Sequence, residues 1–502
     1  MRGELLQRRF PMIVVLVIAG LFILRVALAK QPITRDEGAY AYIALRLLEG
    51  QTPYRDVWDH KPPAIYFIYA MALLSIGPTP VALHVLAAIW LVIGTGLVYL
   101  VGQRLFGAAG GRFGCIIYAA SVLTTDGTGV NTELFMSVCS LAGIYAFLRS
   151  KQQRILWLVL SGLCFGLAFM FKQVAAFDLA GILAYWAVAA LVDHTRRRNL
   201  WLLAKSGLML LLGFSIALVP FVLFFWLRGA LDTMWFDAFV YNTRYSNVNL
   251  RALLIDGVFA TRGAFERNPL LWVGALASLG AIAQKRRWPT DYLPMCWAVG
   301  SLLGIASPNR YFEHYYIQIL APLSLLAGRV LADVFDEIRL TLQPKTFSCK
   351  ALRLLTLCML GWAVLNWSGQ YLGYFRDRYH PLERKQVEVA EYVRAHTEPD
   401  EPIFIWGREP QVYFLAGRRS ASKYINFYPM TRSFYVYPDA EARLMAELQS
   451  TRPRLILVEL PPGGNVPPPH SLRELLGAQY VQDDAVGGME IYRRAGVTID
   501  EP

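Results

Sequence analysis

Apolar residues along this chain fall in long unbroken runs rather than at alternating positions. Runs able to cross a bilayer, or nearly so, lie at 11–29, 81–101, 111–125, 134–148, 155–171, 174–192, 201–227, 269–283, 292–306, 315–335 and 353–370. A straight crossing takes ~20 residues, so the shorter runs draw in flanking residues or sit in a thinned bilayer. A transmembrane β-barrel would alternate apolar and polar positions, and this chain does not. The pattern predicts a mainly α fold, a polytopic membrane helical bundle of about eleven spans with juxtamembrane helices. Positions 371–502 have ordinary polarity. Within them, 402–406 (PIFIW) and 454–460 (RLILVEL) read as short buried strands and 383–396 as a helix, which predicts a small α/β domain. The expected division is therefore a membrane domain, 1–370, and a water-facing domain, 371–502.

The first run has a second reading as a signal peptide, since Arg8 and Arg9 precede it and Ala27-Leu28-Ala29 has a small-x-small pattern. It is read as a retained span, because the loop behind it holds chemistry that needs an anchor.

Composition agrees with a membrane protein. Charged residues make up 17% of the chain and hydrophobic ones 55%, whereas a soluble chain carries about 25% charged residues. The net charge of +12 does not point to nucleic acid, because the basic residues cluster in connectors between apolar runs. Arg8/Arg9, Arg104/Arg112, Arg149/Lys151/Arg154, Arg196/Arg197/Arg198, Lys285/Arg286/Arg287 and Lys345/Lys350/Arg353 occupy alternate connectors. All six sit on the cytoplasmic side only if the apolar stretch 62–77 does not cross. That stretch is laid on the outer interface, with Tyr66, Phe67 and Tyr69 at headgroup level. The N-terminus is then cytoplasmic and the C-terminal domain extracytoplasmic, in what is expected to be a bacterial plasma membrane. The six cysteines show no metal or redox spacing.

The outward connectors hold the chemistry. Thr34 with Glu37 three residues on fits a capping box, and Gly50 fits the stop of the same helix. Asp36 in its first turn can be aimed at a substrate, with the helix N-terminus favouring the ionised carboxylate; a plain solvated first-turn aspartate is the bland alternative. Asp56, Asp59, His60 and Lys61 follow in the same loop, and Lys61-Pro62-Pro63 precedes the interfacial helix. Lys172 ends an apolar run at the outer boundary, where a snorkelling interfacial lysine is the alternative. Arg310 and His314 flank a later outer turn, Glu133 follows Asn131 and Thr132 at a span start, and Asp126 reads as a turn residue. Asp178, inside an apolar run, should face protein or water, and pairing with Lys172 is one option.

The pieces RDEGAYAYIALRLLEGQTPYRDVWDHKPP (35–63), NTELF (131–135), FKQ (171–173) and RYFEHYY (310–316) occur in this order. Together with the multispan body and outer C-terminal domain, they resemble the GT-C glycosyltransferases. The similarity is to the branch of protein O-mannosyltransferases and the lipid A aminoarabinose transferase. The Glu-Lys-Pro-Pro common in that family reads here as His60-Lys61-Pro62-Pro63. The resemblance implies a transferase that takes a single sugar from a polyprenyl-phosphate donor, with inversion. It implies Asp36 as the carboxylate activating the acceptor, Glu133 as a second outer-facing acid, and Lys61 and Lys172 near the donor phosphate. Glu37 is grouped with Asp36 and Glu133 as a catalytic candidate, and Arg310 and His314 with the phosphate-binding ones. A lipid phosphate leaves without a general acid, so fixed positive charge is the main requirement.

No cofactor is expected. The alternative is a divalent ion held by Asp56, Asp59 and His60 with Asp36, as in oligosaccharyl transferases of the same superfamily. The expected partners are the polyprenyl-phosphate sugar, membrane lipids, and an acceptor that is a lipid, glycan or protein; nucleic acid is not among them. The rival functions are a lipid-linked polysaccharide polymerase or ligase, and a flippase or transporter. A transporter would show repeated halves and charges near mid-membrane, and neither is evident. In the C-terminal domain, Trp406-Gly407-Arg408 and Arg418-Arg419 read either as contacts for an acceptor or as strand edges and solvated turns.

Overall fold

The computed structural model describes residues 11–150, 155–192, 200–245, 250–285, 292–340, 347–376, 381–431, 437–460 and 466–496. The basic clusters Arg8/Arg9, Lys151/Arg154, Arg196/Arg197/Arg198, Lys285/Arg286/Arg287 and Lys345/Lys350/Arg353 lie outside the described side chains, as does the loop 461–465.

Each apolar run is helical. In chain order the helices are α1 (Met12–Ala27), α2 (Arg35–Leu48), α3 (Ala64–Ile76), α4 (Pro80–Val122), α5 (Thr132–Arg149), α6 (Ile155–Phe171), α7 (Ala175–Val192) and α8 (Leu200–Leu227). After short helical turns at 231–245 come α9 (Leu250–Arg267), α10 (Pro269–Lys285), α11 (Tyr292–Ala306), α12 (Ile317–Leu340) and α13 (Phe347–Arg376). Two of the expected runs, 81–101 and 111–125, join in α4. They remain separate segments, because Gly107 breaks the helix between them with φ 80° and ψ 178°, a conformation that needs no Cβ. Helix α9 lies in a stretch that the hydrophobic pattern left as a connector. Among the described residues, four helical stretches are long and apolar enough to cross a membrane on length and composition alone, and six apolar helices are shorter. The chain is an integral membrane protein.

The chain packs as two compact units. The first takes in 1–28, 84–220 and 248–376. Its centre is α5, buried on nearly every face. Asp178 of α7, fully buried, accepts hydrogen bonds from Ser301 of α11 at 2.7 Å and Gln318 of α12 at 2.9 Å. The pairing with Lys172 considered from the sequence does not form, since Lys172 is taken by Glu133. Neutral donors hold one oxygen of the aspartate instead and tie three apolar helices together.

The second unit combines 29–83, 221–247 and 377–502. Its C-terminal part contains α14 (Pro381–His396), β1 (Ile403–Trp406), α15 (Gln411–Ala416), α16 (Ala440–Thr451), β2 (Leu455–Glu459), α17 (His470–Gln479), β3 (Tyr480–Val486) and β4 (Met489–Arg494). The sheet order is β1-β2-β4-β3, parallel between β1 and β2 and antiparallel elsewhere. The two strands and the helix read from the sequence are present. The β3–β4 hairpin is additional, turning at Gly487-Gly488, both at positive φ. The core of this unit mixes Phe404, Trp406, Leu444 and Ile456 with Trp58 and Tyr241. Trp58 and the 231–245 turns are thus built into the same core as the C-terminal α/β fold.

Candidate active site

In the second unit the local sequence sets α2 at a defined start. Thr34 and Glu37 form the expected capping box, with the Thr34 N–H donating to Glu37 Oε2 at 2.7 Å. Glu37 is buried and faces its own helix start. Asp36, its neighbour, is 42% exposed in its side chain and lies 3.6 Å from Lys61 Nζ. An ion pair this open contributes about 0–1 kcal/mol, so stability alone does not account for it.

Lys61 is held from behind. Its carbonyl accepts hydrogen bonds from Tyr54 Oη at 2.6 Å and Tyr66 Oη at 3.3 Å, and both tyrosines are fully buried. Tyr66 also donates to Asp59 at 2.8 Å, and Asp59 caps the His60 N–H at 2.7 Å. Asp36, Asp59, His60 and Lys61 line a cleft together with Arg35, Ala39, Tyr40, Arg408, Pro410, Asn426 and Tyr428. Asp56 does not line it. Two bonds from Arg55, at 2.8 and 2.9 Å, hold that carboxylate below its ordinary pKa. Of the three alternative metal ligands, Asp59 and His60 therefore share the cleft with Asp36 and Asp56 does not. Among the described residues, no group of three or more His, Cys, Asp or Glu side chains is arranged to hold a metal ion.

The first unit has its own polar centre. Lys172, just beyond α6, is only 6% exposed, so it does not snorkel to water. It pairs with Glu133 and stands 3.6 Å from the centre of the Tyr315 ring. Thr132 donates to the other Glu133 oxygen at 2.9 Å. His314 lies 3.7 Å from Glu133 and 3.3 Å from Asp126. Asp126 is thus more than a turn residue. It sits at the distorted end of α4 with φ 57° and faces the histidine. Arg310 is exposed, between Asn309 and Tyr311, both with left-handed backbone. Burying a charge pair such as Lys172–Glu133 costs desolvation that the pairing only roughly offsets, so packing alone is a weak reason to keep it.

The second unit also holds a carboxylate that sequence reading passed over. Asp237, 1% exposed, accepts a hydrogen bond from Tyr437, whose hydroxyl also receives the Trp58 indole N–H at 3.1 Å. Burial pushes Asp237 up to about 7, against the opposing Tyr437 bond and the Lys423 charge; Asp59 adds to the upward push. The folded state then holds a proton that an unfolded aspartate releases near pH 4. Stability should fall as pH rises from about 4 through 7, at up to about 1.4 kcal/mol per pH unit. Thermal unfolding of detergent-solubilised protein from pH 5 to 8 should show this fall, and Asp237→Asn should flatten it. A variant with the same slope as the parent would place the titration elsewhere.

Two cleft residues were illegible in the sequence. Asn426 and Tyr428 lie more than 360 positions from Lys61 and have no motif of their own, whereas Arg408 belongs to the Trp406-Gly407-Arg408 patch read as an acceptor contact or a strand edge; only the fold brings the three to Asp36.

The fold is shared over nearly the whole chain with a solved structure, and about a third of the chain matches a sequence family. Residues 60–226 match the sequence profile of the dolichyl-phosphate-mannose-protein mannosyltransferase family. ArnT from Cupriavidus metallidurans, solved bound to undecaprenyl phosphate, superposes with a TM-score of 0.68 at 15% identity, over 97% of this chain and 99% of that one. Its apo state gives 0.63 at 15% identity, over 95% and 97%. An oligosaccharyltransferase from Archaeoglobus fulgidus tethered to an acceptor peptide gives 0.57 at 14%, over 89% of this chain and 69% of that one. A search of curated protein sequences finds no match.

Proposed function

We propose that this chain is a membrane glycosyltransferase that moves one sugar from a polyprenyl-phosphate donor to an acceptor at the outer membrane face. Asp36 takes the proton from the acceptor as its oxygen or nitrogen attacks the anomeric carbon. The bond from that carbon to the donor phosphate breaks on the opposite side, which inverts the configuration, and the lipid phosphate leaves with the electron pair. Lys61 meets the charge growing on the phosphate. Glu37 positions α2 through its cap. For Lys172, His314 and Arg310 of the first unit the phosphate role is the one the resemblance implies, and Glu133, paired with Lys172, orients that lysine.

The observation that carries this reading is the accessible Asp36 beside Lys61 in a cleft, within a fold shared by lipid-linked sugar transferases. The undecaprenyl phosphate bound in ArnT and the dolichol phosphate bound in the archaeal oligosaccharyltransferase support a lipid-phosphate donor. The test is turnover of a panel of labelled prenyl-phosphate sugars by membranes holding the protein. At least one sugar should leave its lipid, and Lys172→Ala should raise the donor concentration needed for half-maximal rate. If every donor stays intact, transferase activity is excluded. An unchanged donor requirement would remove Lys172 from the phosphate contacts.

A further inference from the structure

One wall of the cleft comes from the C-terminal part of the chain, and two of its side chains have donors that make no hydrogen bond among the described residues. Asn426 is only 6% exposed. Its Oδ1 accepts the Tyr428 N–H at 3.0 Å, which fixes the amide orientation, because that N–H needs an acceptor. The amide nitrogen is the remaining polar atom of this cleft-lining side chain, and it makes no hydrogen bond among the described residues. Arg408 is clamped by Glu459 through Nε at 3.3 Å, one terminal nitrogen at 2.7 Å and its own main-chain N–H at 2.8 Å. Its other terminal nitrogen makes no hydrogen bond among the described residues.

This arginine is neutralised tightly, unlike Lys61, whose contact with Asp36 is longer and more open. A wall that offers N–H donors without net charge, next to the Tyr428 ring, suits sugar hydroxyls better than a phosphate or carboxylate. We propose that Asn426 and Arg408 form a sugar-hydroxyl subsite for the acceptor beside Asp36, so that the acceptor is a glycan. The inference rests on the glycosyltransferase reading and names the acceptor class for that same site.

The decisive variant is Asn426→Asp, which keeps the oxygen that the Tyr428 N–H needs and removes the donor. Full-length protein in lipid nanodiscs would be given the donor found by the panel, with methyl hexosides, a free hexose pentasaccharide or a threonine-containing peptide as acceptor. Losing one hydrogen bond should raise the saccharide KM about tenfold while kcat changes less than about threefold. Asn426→Ala should raise it at least as far; if Asn426→Asp fails to fold, this variant carries the test. An unchanged saccharide KM in a folded variant overturns the subsite, as does a fall in kcat with KM unmoved. Transfer to the peptide but to no saccharide overturns the glycan assignment. Wild-type protein that turns over no donor removes both this proposal and the transferase reading; an active wild type with an unaffected variant removes the subsite alone.

Discussion

Asp36→Asn is expected to lower sugar transfer by about 10²- to 10⁴-fold, the usual contribution of a positioned base, while leaving the protein folded. Asparagine occupies nearly the same volume and still accepts a hydrogen bond from Tyr40, which lies 3.5 Å away. It cannot take a proton from an acceptor. The side chain is 42% exposed, and losing one open ion pair costs about 0–1 kcal/mol, so expression and thermal unfolding should stay near the parent values. The combination separates two explanations. A first-turn aspartate that only interacts with its helix end would lose a few tenths of a kcal/mol and no activity. Assaying transfer alongside size-exclusion behaviour makes the comparison, and full activity in a folded Asp36→Asn variant removes the base.

How far the sequence reaches depends on whether a feature is local. Apolar runs and the Thr34–Glu37 box are set by neighbours within a turn or two, and they are present as helices and a cap. The β3–β4 hairpin was missed although Gly487-Gly488 is a turn signal, because YVQDDAV has a weak apolar alternation and β3 is mostly exposed. Lys172 was legible as an odd cation at a span end, but its partner was not. Asp178 was the partner offered from the sequence, and only packing puts Glu133 against the lysine instead. Asp237 and Asn426 show the limit more sharply. Each sits in a segment without a motif, and its importance comes from Tyr437 or from the cleft, reached through long-range contacts.

The second large effect is expected at Gly38, two residues after Asp36 on α2. A glycine inside a helix costs about 0.5–1 kcal/mol relative to alanine, so Gly38→Ala would stabilise an isolated helix. Here the sign should reverse. A Cβ at Gly38 would stand 2.1 Å from Gln411 Cβ and 2.3 Å from Gln411 Cα, and those atoms belong to the start of α15 and cannot swing aside as a side-chain tip would. The same docking continues along α2. Arg35 meets Glu409 at 3.5 Å, the Tyr42 hydroxyl accepts the Ser420 N–H at 2.8 Å, and Glu49 pairs with Arg419 at 2.8 Å. Forcing α2 outward at Gly38 therefore strains every later contact and shifts Asp36 against Lys61. Overpacking of this kind costs about 1–3 kcal/mol or more, and displacement of a reacting group by about 1 Å can cost 10²-fold in rate. Gly38→Ala should lower both the unfolding temperature and transfer, whereas Gly20→Ala in α1, where no atom lies within 4 Å of the added Cβ, should lower neither. Equal behaviour of the two variants would mean that α2 does not rest on α15 at this point, and that the C-terminal domain does not set the position of the base.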